Sequence, residues 1–376
     1  MESSRINVNK DNIKKWAEEN YREQYDRVKK TRTTRISPTL DELHVAIKNI
    51  RNHLPLENTS LDKNMKDPIF NMGLEIISNC YYKENDGLDH FLSLRIRHGS
   101  LMGYLRAPME KEHLLEQGLL NMDSPISKNW KDKIEFYSAK DFEKFITGLK
   151  LFQEKFDNLI EDLRAKYLQI RNVERPDGLF TAKMARVVLD AYHSEWEDAK
   201  TFDDFFLSCW DGFKSLLENS LKNIRKFLDE DILKEVNSYA DEFSLFINDV
   251  GMKNADRAII NSAITRGATA FQEAIRLVKQ WFTFVDEIKD NYELEYTQVL
   301  ELVFKVFRNA RPSLNIEVSS NDVPNNYRFN TQSVSILVDA FFIILDNIYK
   351  HSGYIGSVKI ELITKKYIRM NSSKLL

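Results

Sequence analysis

Asn347, Lys350 and His351 stand within about one helical turn, at the polar end of an otherwise apolar run from Val334 to Tyr349. Asn347 and Lys350, three positions apart, share a helix face. An amide oxygen can ligate Mg²⁺ and an ammonium can meet a phosphate. These residue types at this spacing suit a nucleotide held together with its metal. The same string also fits an ordinary helix C-terminus, because a basic last turn offsets the macrodipole and Gly353 supplies the C′ position. A second group lies upstream, where Ser93, Arg95, Arg97, His98 and Ser100 crowd a short span. Two guanidiniums, an imidazole and hydroxyls so close together invite phosphate binding or RNA cleavage. The plainer reading is an interhelical salt-bridge cluster, with Gly99 and Gly103 letting helices approach.

The elements that would position Asn347 follow a definite order. Tyr292 to Tyr296 alternates as a strand does. Thr297 to Ala310 carries Val299, Leu300, Leu302, Val303, Val306 and Phe307 at helical spacing, and Pro312 follows as a stop. Leu314 to Val318 alternates again, 321–326 reads as a turn region around Pro324, and Thr331 or Ser333 can cap the apolar helix. Val358 to Leu362 reads as the next strand. With that order, Asp346-Asn347-Ile348-Tyr349-Lys350-His351 resembles the N-box of the GHKL ATPases, the fold shared by gyrase, MutL and sensor histidine kinases. The resemblance covers roughly residues 290–365. It implies half of an α/β sandwich that binds ATP and magnesium: Asn347 would ligate Mg²⁺, Lys350 would contact phosphate and His351 would assist there.

The pattern departs from that family in two places. Ile343 stands four residues before Asn347, where the family carries a Glu general base or an Asn. An apolar side chain can neither take a proton nor hold Mg²⁺, and loss of a positioned base costs roughly 10²–10⁴-fold in rate. No Asp-x-Gly-x-Gly box follows, since all twelve glycines lie at or before Gly356. The expectation is a nucleotide-binding domain that looks incomplete, with no catalytic residue assigned.

Composition sets the broader bounds. A chain of 376 residues that is 43% hydrophobic and 30% charged can bury a sizeable core, so it is globular rather than disordered. Only twelve Gly and eight Pro point to long helices with short connections. A net charge of −3 gives no case for nucleic-acid affinity. Cys80 and Cys209 are isolated thiols, without the Cys-x-x-Cys or His/Cys grouping of a zinc site. No apolar run reaches about 18 residues and Met1-Glu2-Ser3-Ser4-Arg5 opens no signal peptide, so a cytoplasmic protein with no membrane partner is expected.

The N-terminal region reads as helices. A charged stretch over 9–31 carries Ile13, Trp16, Tyr21 and Tyr25, then a basic run from Lys29 to Arg35, then a helix opening at Pro38. Two apolar runs over 68–106 are divided near Asn85-Asp86-Gly87, and 109–135 reads as loop. Ser138 with Asp141 caps a long helix to about Arg171. Helices over 181–200, 202–228 and 231–250 place Phe205, Phe206, Trp210 and Phe213 in a core. Ala255 to Ile288 reads as one long helix, whose small residues Ala263, Gly267, Ala268 and Ala270 suit a homodimer contact. The domains expected are a helical subdomain (1–120), a long-helix bundle with a signalling helix (121–288) and the partial GHKL-type domain (289–376).

Two further stretches resemble known motifs. Gly103-Tyr104-Leu105-Arg106-Ala107-Pro108 is similar to the His-Glu-x-Arg-x-Pro phospho-acceptor box of histidine kinases, but Gly103 replaces the histidine. Arg106 with His113, and Arg186 with His193, have the spacing of the Arg-x(4–6)-His motif of HEPN ribonucleases; Pro108 should interrupt the first pair. The sequence thus reads as mainly α, with a helical sensor or transmitter region coupled to a nucleotide-binding domain, a layout that suits a stress-response or phage-defence ATPase. The alternatives are a non-enzymatic helical interaction protein with a degenerate ATPase-like domain, and a HEPN-like ribonuclease.

Overall fold

A computed structural model describes residues 5–32, 67–97, 101–116, 118–285, 293–310, 315–320, 328–330, ten helical positions within 334–348, and 357–362. The chain divides into two compact units, Met1–Glu287 and Ile288–Leu376.

The first unit is helical. Its described helices are α1 (Lys10–Arg32), α2 (Pro68–Tyr82), α3 (Leu88–Phe91), α4 (Leu101–Lys111), α5 (Pro125–Lys133), α6 (Ala139–Asp162), α7 (Arg186–Asp198), α8 (Phe202–Phe227), α9 (Leu233–Ile247) and α10 (Asn254–Val278). Three π-helical segments, Leu92–Arg97, Leu163–Tyr167 and Leu228–Ile232, lie beside them. The caps explain several boundaries. Asp67 accepts from the Ile69 amide and Pro68 occupies the first turn of α2, where a missing N–H costs nothing. Ser138 accepts from Asp141, as its sequence spacing indicates. Thr201 and Asp204 cap α8 reciprocally.

One buried core runs from Ile6 to Phe282 and draws on residues from both sides of position 120. It is aromatic: Phe205, Phe206, Trp210 and Phe213 on one face of α8 are all fully buried, and Trp196 and Phe70 join them. Each such side chain contributes about 1.5–3 kcal/mol on burial. The ends of this unit meet. Ile6 forms a parallel bridge with Phe284, the Ile6 amide donates to Thr283 O (3.0 Å) and the Val285 amide donates to Ile6 O (3.0 Å). Asn7 Nδ2 adds a bond to Val285 O at 3.0 Å.

Several expectations are corrected. Pro108 lies inside α4 and does not interrupt it. Residues 109–135 are not all loop, since Pro125 opens α5 behind the Ser124 cap. The helix expected over 255–288 ends at Val278 in a 3₁₀ turn, Lys279–Trp281. Two of its small residues pack within this chain: Ala263 and Gly267 are buried, and a Cβ on Gly267 would come within 2.9 Å of Met109 Sδ and 3.1 Å of Leu114 Cδ1, whereas Ala270 is exposed. The close approach at Gly267 is thus made within the chain, with α4 and the turn after it. The basic run is described only to Arg32, and the helix expected from Pro38 lies outside the described residues.

The second unit contains β1 (Glu293–Glu295), α11 (Tyr296–Ala310), β2 (Asn315–Ser320), β3 (Arg328–Asn330) and β4 (Ser357–Leu362). Strand and helix positions agree with the alternation in the sequence, but their pairing differs from the architecture expected. β1 pairs antiparallel with β3, and β2 pairs parallel with β4, as two separate two-stranded sheets. A GHKL sandwich needs one continuous sheet to carry its helical layer, and among the described residues there is none. A small core gathers Val299, Val303 and Phe307 of α11 with Val334, Val338 and Leu345. The described fold is mainly α, without the α/β sandwich.

Candidate functional site

Of the positions expected to bind ATP and Mg²⁺, Asn347 alone lies among the described residues. Asn347 is helical and exposed, on the side away from buried Leu345, while Lys350 and His351 lie outside the described residues. Ile343, four residues before Asn347, is 38% exposed and lies outside the core. His98, Gly99 and Ser100 are likewise outside them.

Arg97 takes the structural role its neighbours suggested. It is buried, ending the π-helical segment Leu92–Arg97. Its Nη2 donates to Asp89 Oδ1 (2.6 Å) and Asp89 O (2.7 Å), and its Nη1 donates to Gln169 Oε1 (2.6 Å). Gln169 also accepts from Arg175 Nη1 at 3.0 Å and gives its own Nε2 proton to Arg164 O at 3.0 Å. One amide oxygen thus joins two guanidiniums across the segments that follow α3 and α6. Arg106 is similarly engaged. Its Nε donates to Glu110 Oε1 (2.9 Å), Nη2 donates to Glu116 O (3.0 Å), and it pairs with Asp157. His113 sits at positive φ, 56°, and its imidazole is harder to protonate than usual because burial, then Lys133, disfavours the cation.

The set of side chains best arranged for chemistry is Asp67, His193 and Glu197. His193 and Glu197 are one turn apart on α7, so they share a face. Asp67 comes from the start of α2, 126 residues away in sequence from His193. His193 Nε2 lies 2.9 Å from Asp67 Oδ2 and 3.8 Å from Glu197 Oε1. The three donor atoms all lie within 4.8 Å of one another, a set able to hold a cation. Asp67 Oδ1 is fixed by the Ile69 amide at 2.8 Å, which leaves Oδ2 facing the imidazole. The ring of His193 is set edge-on against Phe70, with centroids 4.9 Å apart and an interplanar angle of 72°. One turn on from these two, Gly73 lies so close to Trp196 that an added Cβ would fall 2.5 Å from the indole. The α2–α7 contact therefore sets the Asp67–His193 distance. On the far side, Tyr25 Oη donates to Ala199 O at 2.8 Å, and Lys29 Nζ contacts Glu197 O.

Sequence reasoning singled out His193 for its spacing from Arg186, and both do lie on α7. It missed Glu197 and Asp67. The His-x-x-x-Glu spacing on a helix was a readable signal, and Asp67-Pro68 a readable cap; their convergence was not.

The comparisons with known proteins bear on the helical unit. The Y4jQ family model matches residues 15–282. The chain belongs to the Y4jQ family. An uncharacterized protein y4jQ of Sinorhizobium fredii (strain NBRC 101917 / NGR234) is 25% identical over 272 residues, covering 71% of this chain and 25% of the relative. The Detocs histidine-protein kinase DtcA of Enterobacter cloacae (strain JD6301) is 22% identical over 308 residues, 79% of this chain and 26% of the relative. The chain thus spans about a quarter of the length of these curated relatives. No solved structure gives a significant match. The family match falls on the helices and stops before β1, and the described strands form no sandwich. Both findings overturn the identification of residues 289–376 as a partial GHKL domain. Membership of the Y4jQ family replaces it. Among the described residues, no helix is long and apolar enough to cross a membrane.

Proposed function

We propose that the helical unit is a regulatory region of a kinase-type signalling protein, acting through contacts with other protein segments rather than by chemistry of its own. The observation that carries this reading is the similarity to a histidine-protein kinase over 79% of the chain. Two features agree with a non-catalytic role. Gly103, buried within α4, occupies the place of the phospho-acceptor histidine in the box-like hexapeptide. Arg97 and Arg106, two of the arginines that drew attention in the sequence, are engaged in internal ion pairs. A defence or stress setting for that signalling is part of the same proposal.

The test is phosphotransfer in trans. The purified chain is incubated with labelled ATP, Mg²⁺ and the DtcA kinase, and both proteins are followed. The expected result is no acid-labile label on this chain and an altered rate of kinase labelling. Label on a histidine of this chain, or a kinase rate untouched by it, refutes the reading.

A further inference from the structure

We propose that Asp67, His193 and Glu197 bind a divalent transition-metal ion, zinc foremost, between the start of α2 and the last turns of α7. The inference is independent of the signalling role and rests on geometry alone.

The donor set comes first. One imidazole nitrogen with two carboxylate oxygens suits a borderline ion, because imidazole favours zinc and its neighbours over Mg²⁺ or Ca²⁺. Two carboxylates also match the double positive charge. The distances come next. Zinc holds nitrogen and oxygen at about 2.0–2.2 Å, which in a tetrahedron separates ligand atoms by about 3.3–3.5 Å. The observed separations from Nε2, 2.9 Å to Asp67 and 3.8 Å to Glu197, bracket that value. Shifts of about half an ångström bring both separations from Nε2 to that value, and exposed Glu197 has the side-chain freedom to close its remaining distance to Asp67, which is within 4.8 Å. The ion would take the place of the proton between Nε2 and Oδ2.

The supporting contacts distinguish this cluster from an ordinary surface ion pair. Metal ligands are usually held by outer partners that fix their orientation. Here the Ile69 amide restrains one oxygen of Asp67 and presents the other, and Phe70 restrains the imidazole ring. Both side chains are mostly buried, at 13% and 14% exposed, whereas Glu197 at 42% opens the set to solvent. The Lys29 ammonium contacts the Glu197 carbonyl oxygen.

The experiment is titration of the chelator-stripped chain with Zn²⁺ by calorimetry, repeated with Co²⁺ to read coordination from its visible bands. The wild type is compared with His193→Gln, Glu197→Gln and a control, His90→Gln. Glu197→Gln changes an exposed side chain and keeps its shape, so folding is not at stake. Expected are one tight Zn²⁺ per chain, four-coordinate cobalt bands, and affinity at least about tenfold weaker in both site variants but unchanged in the control. Absence of stoichiometric binding, or affinity undiminished in either site variant, overturns the proposal.

Discussion

The contact between α2 and α7 makes Gly73 the most informative position in the helical unit. Replacing it with alanine should gain about 0.8–1 kcal/mol of helix propensity if space allowed. Space does not allow it: the new methyl would lie 2.5 Å from Cε3 and Cζ3 of Trp196 and 2.8 Å from Cδ2. Carbon atoms settle at about 3.5–4.0 Å, so the helices must part by about 1 Å. The indole cannot turn aside cheaply, because it is fully buried against Phe70, Tyr192 and Phe205. Overpacking of this kind costs about 1–3 kcal/mol, which exceeds the propensity gain in most of its range. Gly73→Ala should therefore lower the melting temperature by a few degrees in calorimetry or circular dichroism. It should also stretch the 2.9 Å His193–Asp67 contact to about 3.9 Å, outside hydrogen-bonding range, and so weaken any ion held there. In a Trp196→Phe background the same substitution should cost less, because the smaller ring gives way, and a double-mutant cycle would read the coupling. A Gly73→Ala chain more stable than wild type, with no coupling to Trp196, would refute the reasoning.

Other consequences are equally direct. Thr201→Ala removes half of the reciprocal cap on α8 and should cost about 0.5–2 kcal/mol in denaturant titrations. Gln169→Leu strips the acceptor shared by Arg97 and Arg175, and should cost about 1–3 kcal/mol in the same assay because Arg97 is buried. Asp141 is held below the usual carboxylate range by Ser138, with help from the Gly251 amide and Lys144. A depressed folded value gives stability present above the unfolded value of 3.8 and lost as pH falls through the folded one. The stability difference between wild type and Asp141→Asn should therefore narrow in melts taken below about pH 4. Burial raises the pKa of both Cys80 and Cys209, so a thiol reagent should label neither in the native chain and both in denaturant.

Much of the helical unit can be read from its sequence because the signals are local. The Ser138/Asp141 cap and the phenylalanine spacing of α6 lie within a few turns, and so does the aromatic face of α8. Boundaries were harder where geometry is unusual: the π-helical segments at 163–167 and 228–232 carry one helix toward the next without a glycine or proline to mark the change. Pro108 and Pro125 show that a proline's effect depends on whether its missing N–H was needed. Pro125 sits where none is, and Pro108 is tolerated within α4. In the second unit, alternation located β1, β2 and β4 but could not say which strands pair, because pairing is a long-range choice. The short β3 was not foreseen at all. The same limit hid the candidate site. His193 and Glu197 are neighbours by helical arithmetic, whereas Asp67 reaches them only because a glycine on α2 admits an indole from α7. The small-residue face of α10 was legible, but its partner, α4 of the same chain, was not.

The clip between the two ends of the helical unit also determines how it would bear a mechanical load. Ile6 and Phe284 run parallel, so a pull on the chain before one and after the other acts along the strands in opposite directions. The bonds to Thr283, Ile6 and Val285 then resist together, in shear, rather than opening one at a time like a zipper. Tension drawn through the polypeptide would pass across this short clasp and leave the aromatic core unstressed until the clasp gives way.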